Sequence, residues 1–398
     1  MTFHIVGAGL AGLSAALELI DAGHDVAIYE AAGQAGGRCR SWHDPVLDAV
    51  IDNGTHMVVG GNRNVWRFLR RIGAENRMTA LPLGLPMADL ANGRRWIADP
   101  LALLPDILAA LWRLPLHSGA SVADCLKQSR HYSDFWEPLA VSVMNCRADQ
   151  ASASLLRRVL VRTMWRGGAT ARPFLVRNNL ADSFVSPAVQ AIEQGGGSLA
   201  FHQILRRIDW QDGKARRLHF SNHTLYPARR EQIILALPWH AAARLLPDRN
   251  WDTLPSRPIV NAHFRLPPSV SAIPDVLGMI NGHAHWLFWK PPILSVTVSD
   301  AGILAERSVE DCASLLWENV SKTLKIKENY ISYRVIKEHR ATLLQNSRTL
   351  SMRPQTDLGK NCVLAGDWID TGLPCTLESA IASGRMAATA AMQRFHHC

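Results

Sequence analysis

Gly7, Gly9 and Gly12, in the run Ile5-Val6-Gly7-Ala8-Gly9-Leu10-Ala11-Gly12, stand at G-x-G-x-x-G spacing, and Glu30 follows them. That spacing is what a chain needs to lay its backbone against a pyrophosphate. Gly7 permits a tight turn, Gly9 a close approach to the ligand, and Gly12 close packing of a helix on the sheet. An acid placed like Glu30 accepts from a ribose 2′-hydroxyl and disfavours a 2′-phosphate. Two further places carry reactive types. Asp52 and His56 stand four apart across an Asn53-Gly54 turn, a carboxylate and an imidazole able to hand on a proton. Asp367 ends the apolar run Cys362 to Ala365, ahead of a Gly/Pro loop.

Such residues work only if regular elements hold them. Phe3 to Val6 reads as a short strand, and Leu13, Ala16, Leu17 and Ile20 mark one face of the helix that follows. Gly23 stops that helix. Val26 to Tyr29 reads as a second strand with Glu30 at its end, so strand, turn, helix, strand and acid fall in register. At the other end, a buried strand, Asp367, a loop and an Ala-rich helix over 376–395 form a second βα unit, with Pro374 suited to a first helical turn. Between them the pattern is mixed. Residues 48–62 read as two strands about the Asn53-Gly54 turn. Residues 121–128, 134–144 and 152–164 read as helices, and 198–201, 204–210, 217–220 and 231–237 as strands. Further strands are predicted at 260–265, 286–289 and 293–298, and a helix at 310–325. The first-and-last placement of the strong motifs implies a discontinuous nucleotide-binding domain: residues 1–75, 186–240 and 345–398. A substrate-binding domain with a mainly helical insert would take residues 76–185 and 241–344.

Composition narrows the class. A chain of 398 residues with 47% hydrophobic and 19% charged residues can bury a large core, and roughly two to three domains are expected. The seven cysteines show no C-x-x-C and no paired spacing, which fits a reduced, cytoplasmic protein without disulfides or zinc. A signal peptide of the usual form is not expected, since the first strand begins at residue 3. No apolar run spans a bilayer. The net charge of +9 sits largely in scattered Arg pairs without aromatic interleaving, so no nucleic-acid partner is expected. A weak attraction to anionic lipid is consistent with it. His283-x-His285 and His396-His397 lack a third ligand at suitable spacing, so no metal site is expected. Neither Gly-x-Ser-x-Gly nor H-E-x-x-H occurs.

Gly36-Gly37-Arg38 after Glu30, and Ala365-Gly366-Asp367 near the other end, resemble the flavin amine oxidase and phytoene desaturase superfamily. The resemblance implies an α/β fold with a Rossmann-type FAD-binding domain. By it, Gly7, Gly9, Leu10, Ala11 and Gly12 face the cofactor's diphosphate together with Gly37 and Arg38. Glu30, Ala31 and Ile204 would lie at the adenosine end. Gly54 and Thr55 would offer backbone N–H groups to the flavin, and Gly366 and Asp367 would hold the ribityl chain. Thr376 and Leu377 would start a helix aimed at the flavin's N1 edge, where reduced flavin carries negative charge. Longer phrases narrow the likeness. Ile51-Asp52-Asn53-Gly54-Thr55-His56, Phe135 to Ala140, Trp286-Leu287-Phe288, Arg340-Ala341-Thr342 and Leu364 to Pro374 resemble the hydroxysqualene dehydroxylase family, from residue 3 to about 390. Thr55, Asn145-Cys146-Arg147, Cys375 and Ser379 depart from its pattern.

That family implies a reductive step: a tertiary allylic alcohol on a C30 isoprenoid chain is lost as water and replaced by hydride from reduced FAD. Such chemistry needs an acid for the departing hydroxyl, an unidentified electron donor for the flavin, and a dry apolar site. Asp52 and His56 are the catalytic candidates, in the segment that passes the isoalloxazine in this superfamily. The alternative is that Asp52 caps its turn and His56 is a satisfied core histidine. Lys290, after Trp286-Leu287-Phe288-Trp289, resembles in place the lysine that faces the flavin N5 in amine oxidases; the alternative, favoured by context, is a solvated lysine before Pro291-Pro292. Residues 100–116 are apolar nearly all round, carry Trp112 and are flanked by Arg94-Arg95 and Arg113. They read as a peripheral membrane-docking element or as a buried core helix. Two other functions remain open on the same scaffold: oxidation of a polyene or amine, and lipid binding by a chaperone of the GDP-dissociation-inhibitor type.

Overall fold

A computed structural model describes residues 2–117, 119–164 and 167–396, so His397 and Cys398 lie outside the described residues. Five parallel strands form the first sheet, in the spatial order Ser198–Ala200, Asp25–Tyr29, Thr2–Val6, Gln232–Leu235, Cys362–Leu364, and Asp357–Gly359 adds an antiparallel edge. The central strands are largely apolar because both faces are covered, with His4 and Gln232 as their buried polar residues. On one face lie helices Leu10–Asp21, Ser186–Gln194 and Leu377–His396, packed through Leu13, Leu17, Ala188, Ile192, Ile381 and Ala388. On the other lie an antiparallel meander, Leu205–Gln211, Lys214–Phe220 and Thr224–Leu225, and helix Trp239–Leu245. The first and last of the three covering helices touch most closely at Gly384. A Cβ there would stand 2.1 Å from the Ala11 carbonyl, and Ser14 Oγ donates to the Ile381 carbonyl at 3.0 Å.

The second sheet has seven strands in the order Ser332–Leu343, Ser256–Arg265, Ile293–Val298, Trp286–Lys290, Val276–Ile280, Leu85–Asp89, Arg95–Ala98. Its side chains alternate along each strand, apart from a bulge between Arg257 and Ile259. Val260, Ala262, Phe264, Leu294 and Val296 pack under helix Val309–Leu324 through Cys312, Ala313, Leu316 and Val320. The opposite face carries three cross-strand rows: Lys290–Ile293–Arg265, Phe288–Ser295–His263 and Trp286–Thr297–Asn261. These rows face the hairpin Ser41–Asp44 and Ala49–Asp52, where Ile293 packs with Leu47 and Ile51 and Arg334 pairs with Asp44 at 2.6 Å. A third, small sheet pairs Met57–Val59 and Met78–Ala80 with Pro173–Val176.

Two strands, Leu85–Asp89 and Arg95–Ala98, lie where the pattern suggests mainly helix. Each is too short to show a period, and both lie at one edge of a sheet completed from residues 256–343. The long strand Ser332–Leu343 at the other edge is not visible in the sequence either, since one face is wet and its charges break the alternation. Residues 100–116 are not uniformly apolar in their surroundings. Helix Leu104–Arg113 buries Ile107 and Ala110, with Leu114 after it, while Leu101, Leu108, Trp112 and Leu116 point outward, Trp112 at 92% exposure. Among the described residues, no helix is long and apolar enough to cross a membrane.

Candidate active site

The nucleotide end of the crevice is built from backbone. Gly7 has φ +107°, a conformation that glycine takes up freely, and a Cβ there would meet the Ala236 carbonyl at 2.4 Å. A Cβ on Gly12 would lie 1.9 Å from the Gly7 carbonyl. Gly9 is different. Its φ is an ordinary −73°, and nothing lies within 4 Å of where its Cβ would be. Space is therefore kept open where helix Leu10–Asp21 begins, at the end whose N–H groups and dipole favour an anion. Gly36 donates to the Ala8 carbonyl and bridges Gly9, laying Gly37 along the same opening. Leu10 and Ala11 are buried behind it. Glu30 accepts from the Ala8 N–H at 2.7 Å and the Ala32 N–H at 2.8 Å, which fixes the carboxylate at the strand end with lone pairs to spare. Exposed Ala31 adjoins it, and the Gln203 N–H bond to the Glu30 carbonyl brings half-exposed Ile204 alongside.

Residues from the far end of the chain arrive at the same place. Asp367, buried, accepts from Arg38 at 2.5 Å, and Arg38 also donates to the Ala341 carbonyl. Gly366 (φ +149°) has no room for a Cβ beside the Trp368 ring, and its N–H donates to Ser383 Oγ. Thr376 Oγ1 accepts from the Ser379 N–H and caps helix Leu377–His396. Sequence reasoning passed over two residues that tie this end of the chain to its surroundings. The buried Arg353 guanidinium donates to the carbonyls of Asp367, Trp368, Ile369 and Leu373. Buried Glu378 accepts from Asn64 and from the Val65 N–H, capping helix Arg63–Arg71. His240 was also missed. Its Nδ1 is buried without a partner, and burial, with the charges of Arg340, Arg244 and Arg38, brings its pKa down to about 4. The open space beside Gly9, at the start of helix Leu10–Asp21, fits a diphosphate.

Beyond the nucleotide end, strand Ala49–Asp52 delivers Asp52. Its Oδ1 accepts from Ser41 Oγ at 2.6 Å and from the Leu180 N–H at 2.8 Å, so one oxygen is an anchor between segments. His56 Nδ1 lies 2.7 Å from the Gly54 carbonyl, and since a carbonyl only accepts, the proton is on Nδ1 and Nε2 is the acceptor. Burial lowers the His56 pKa and keeps the ring neutral near pH 7. Gly54 is itself confined: a Cβ there would stand 2.8 Å from Asn261 Nδ2, which donates to the Asn53 carbonyl at 3.0 Å. Asp52 and Thr55 line a cavity of about 340 Å³, with Lys290, Ser295, Ile293 and Arg177. His56 is not in its lining, so the two sequence candidates do not share this cavity.

The expectation for Lys290 needs correction. It is half-buried on the wall of this cavity, with Nζ donating to the Asn178 carbonyl at 2.9 Å. Its sequence neighbours Pro291-Pro292 suggest only a turn. The strand register that turns its side chain toward Asp52 is not written locally. Ser295, beside it, bonds buried His263 at 2.8 Å. Among the described residues no three His, Cys, Asp or Glu gather as a metal site.

A crevice at the carboxyl ends of parallel strands, closed by a second sheet, defines a dinucleotide-dependent flavoprotein oxidoreductase. Solved structures share the fold: an oxidoreductase from Methanosarcina mazei (TM-score 0.77, 15% identity, 98% of this chain and 100% of that one) and cyclohexylamine oxidase from Brevibacterium oxydans (TM-score 0.74, 14% identity, 99% of each). The family model described as flavin containing amine oxidoreductase matches residues 10–392, and the enzyme is FAD-dependent. Within that class the sequence is 33% identical to the hydroxysqualene dehydroxylase of Zymomonas mobilis and 34% identical to that of Sinorhizobium fredii, each across 98% of both chains. The 15-cis-phytoene desaturase of Solanum lycopersicum stands further off, at 22% over 98% of this chain and 77% of that one. The protein belongs to the hydroxysqualene dehydroxylase family.

Proposed function

We propose that the protein removes the hydroxyl of hydroxysqualene reductively, giving squalene and water. The observation that carries this reading is the 33–34% identity to two hydroxysqualene dehydroxylases along 98% of the chain. Bound reduced FAD supplies the hydride. Gly7, Gly9, Leu10, Ala11, Gly12, Gly37 and Arg38 would hold its diphosphate, and Glu30, Ala31 and Ile204 its adenosine end. Gly54, Thr55, Gly366, Asp367, Thr376 and Leu377 would seat the ribityl–flavin portion. The domain division at 75/76, 185/186, 240/241 and 344/345 goes with this reading. Every strand of the parallel sheet lies in the first set of segments and every strand of the seven-stranded sheet in the second.

The rest is work for side chains. Asp52 places a carboxylate beside a developing allylic cation. His56, neutral and outside the lining of the Asp52 cavity, orients the turn through its bond to the Gly54 carbonyl. Neutral His56 is no proton donor near pH 7, which narrows the pair's role to stabilising and orienting. Trp286 and Phe288 pack with Met57, Leu81 and Leu175 next to this segment, an apolar wall whose aromatic faces favour a cation and exclude water. The substrate comes from a bilayer, and the outward stripe Leu101, Leu108, Trp112 and Leu116, with Arg113 beside it, supports docking on an anionic membrane surface.

Anaerobic incubation of the reduced protein with hydroxysqualene, and separately with phytoene, tests the reading. Squalene from the first alone is expected; turnover of phytoene with an added acceptor would overturn it. Asp52→Asn and His56→Ala should keep FAD and slow turnover roughly 10²–10³-fold, the size of one lost transition-state contact. Near-normal rates in both would return the pair to structural roles.

A further inference from the structure

We infer that Lys290 is the proton donor to the departing hydroxyl, a catalytic role that rests on the dehydroxylase reading above. A tertiary alcohol leaves as water only if a proton reaches its oxygen. The cavity that Asp52 and Thr55 line contains few groups able to give one. Asp52 Oδ1 is an acceptor for Ser41 and Leu180. His56 lies outside the cavity lining and commits its one N–H to Gly54. Arg177 lines the cavity, but guanidinium does not give up its proton in proteins. Ser295 is tied to His263, a ring that burial keeps neutral, with a pKa of about 4. The Thr55 hydroxyl is no stronger an acid than the alcohol it would have to protonate, which leaves the Lys290 ammonium. One of its three N–H bonds is spent on the Asn178 carbonyl, and two remain for the cavity.

Its setting suits the task. Burial lowers the Lys290 pKa, with the Asp52 carboxylate opposing the shift, so its ammonium gives up a proton more readily than that of a free lysine. Other charged groups lie on the neighbouring elements: Arg177 also lines the cavity, Arg265 lies beyond Ile293 in the same cross-strand row, and Asp275 precedes strand Val276–Ile280, its carbonyl bonded to the Trp289 N–H. The step balances. The C–O bond breaks with its electron pair on oxygen, the oxygen takes the Lys290 proton and leaves as water, and hydride from reduced FAD reaches carbon. Lys290 is reprotonated from solvent through the mouth at exposed Pro291 and Pro292.

The test is anaerobic single turnover: reduced holoenzyme mixed with hydroxysqualene, reading flavin reoxidation and squalene across pH. For the wild type the rate should be full at low pH and fall as pH rises through the lysine's titration, below its free value near 10.5. Lys290→Met should retain flavin and lose ~10²–10⁴ of the rate, with that alkaline fall abolished. Lys290→Arg keeps the charge but holds its proton, and should stay within about tenfold of the Met variant. Lys290→Ala should regain rate with added ethylammonium, which the open cavity admits. If Lys290→Arg works like the wild type, the residue acts by charge alone and the assignment falls. Should Lys290→Met fail to hold flavin, the Arg variant and amine rescue decide. Wild-type protein that forms no squalene overturns the substrate reading itself. Wild-type turnover with unimpaired Lys290→Met overturns only the role of Lys290.

Discussion

The two sheets solve opposite problems. In the parallel sheet, apolar strands on both faces serve to bring bare backbone to one place: three glycines, a helix start and two fixed carboxylates. The seven-stranded sheet keeps one face apolar under helix Val309–Leu324 and spends the other on polar side chains, with Asn261–Thr297 at 2.7 Å and His263–Ser295 at 2.8 Å pressed against the Asp52–Gly54 segment. Binding a nucleotide rests on what side chains leave out. Chemistry on the substrate rests on which side chains a register brings in. A substitution should therefore act through backbone space in one half and through buried polarity in the other.

The sharpest way to break this contrast is to add one methyl group in two places. Gly12→Ala puts a Cβ 1.9 Å from a backbone oxygen that cannot retreat, and is expected to cost more than about 4 kcal/mol and leave no folded flavoprotein. Gly9→Ala meets nothing, so apo-protein stability should hold within ~0.5 kcal/mol while FAD binding drops, measured by thermal melts beside flavin titration. Equal losses of stability in both would refute the distinction between a packing glycine and a ligand glycine. Arg353→Met is next. Four carbonyls lose their shared partner, and a loss on the order of 3–5 kcal/mol with faster flavin release is expected. Glu30→Ala should weaken FAD by roughly tenfold to a hundredfold, the worth of one charge-assisted hydrogen bond, and leave the second sheet untouched.

The smallest effect is read by pH, and in both halves, since His240 shares the low pKa of about 4. His263 and His285, on and beside the second sheet, have pKa values of about 4 in the fold against 6.5 in the free side chain. Between those values the unfolded chain binds more protons, so stability should fall as pH drops from 6.5 toward 4. Melting followed by tryptophan fluorescence should show that slope, reduced in His263→Gln. An unchanged slope would place the acid sensitivity elsewhere.

What could be read from the chain follows the same line. The Gly7–Glu30 unit was legible because its logic is largely local: turn, helix and acid lie in one stretch, Gly12 answers to Gly7 and Gly9 to open space, while Gly7 answers to a distant residue, Ala236. The expectation for Asp367 at a strand end was legible for the same reason. Arg353 was not, since nothing near it in sequence signals four carbonyls drawn from residues 367–373. Lys290 reads as solvated because its partners, Asn178 and Asp52, come from distant segments. Asn261 is silent in sequence, one polar residue in an apolar run, and only its i+2 relation to His263 on one sheet face shows why. The outward stripe of residues 100–116 was masked by a helix apolar on both sides.

The contact between helix Leu10–Asp21 and helix Leu377–His396, with strand Cys362–Leu364 beside it, sets an order of assembly on the ribosome. The parallel sheet cannot close, nor Ala11 find its cover at Gly384, until residues 362–396 have left the exit tunnel. Every strand of the seven-stranded sheet lies between residues 85 and 343 and emerges earlier. The half that carries the glycine turn is thus begun before the seven-stranded sheet and completed after it, and a nascent chain must carry its open nucleotide groove while that second sheet is made.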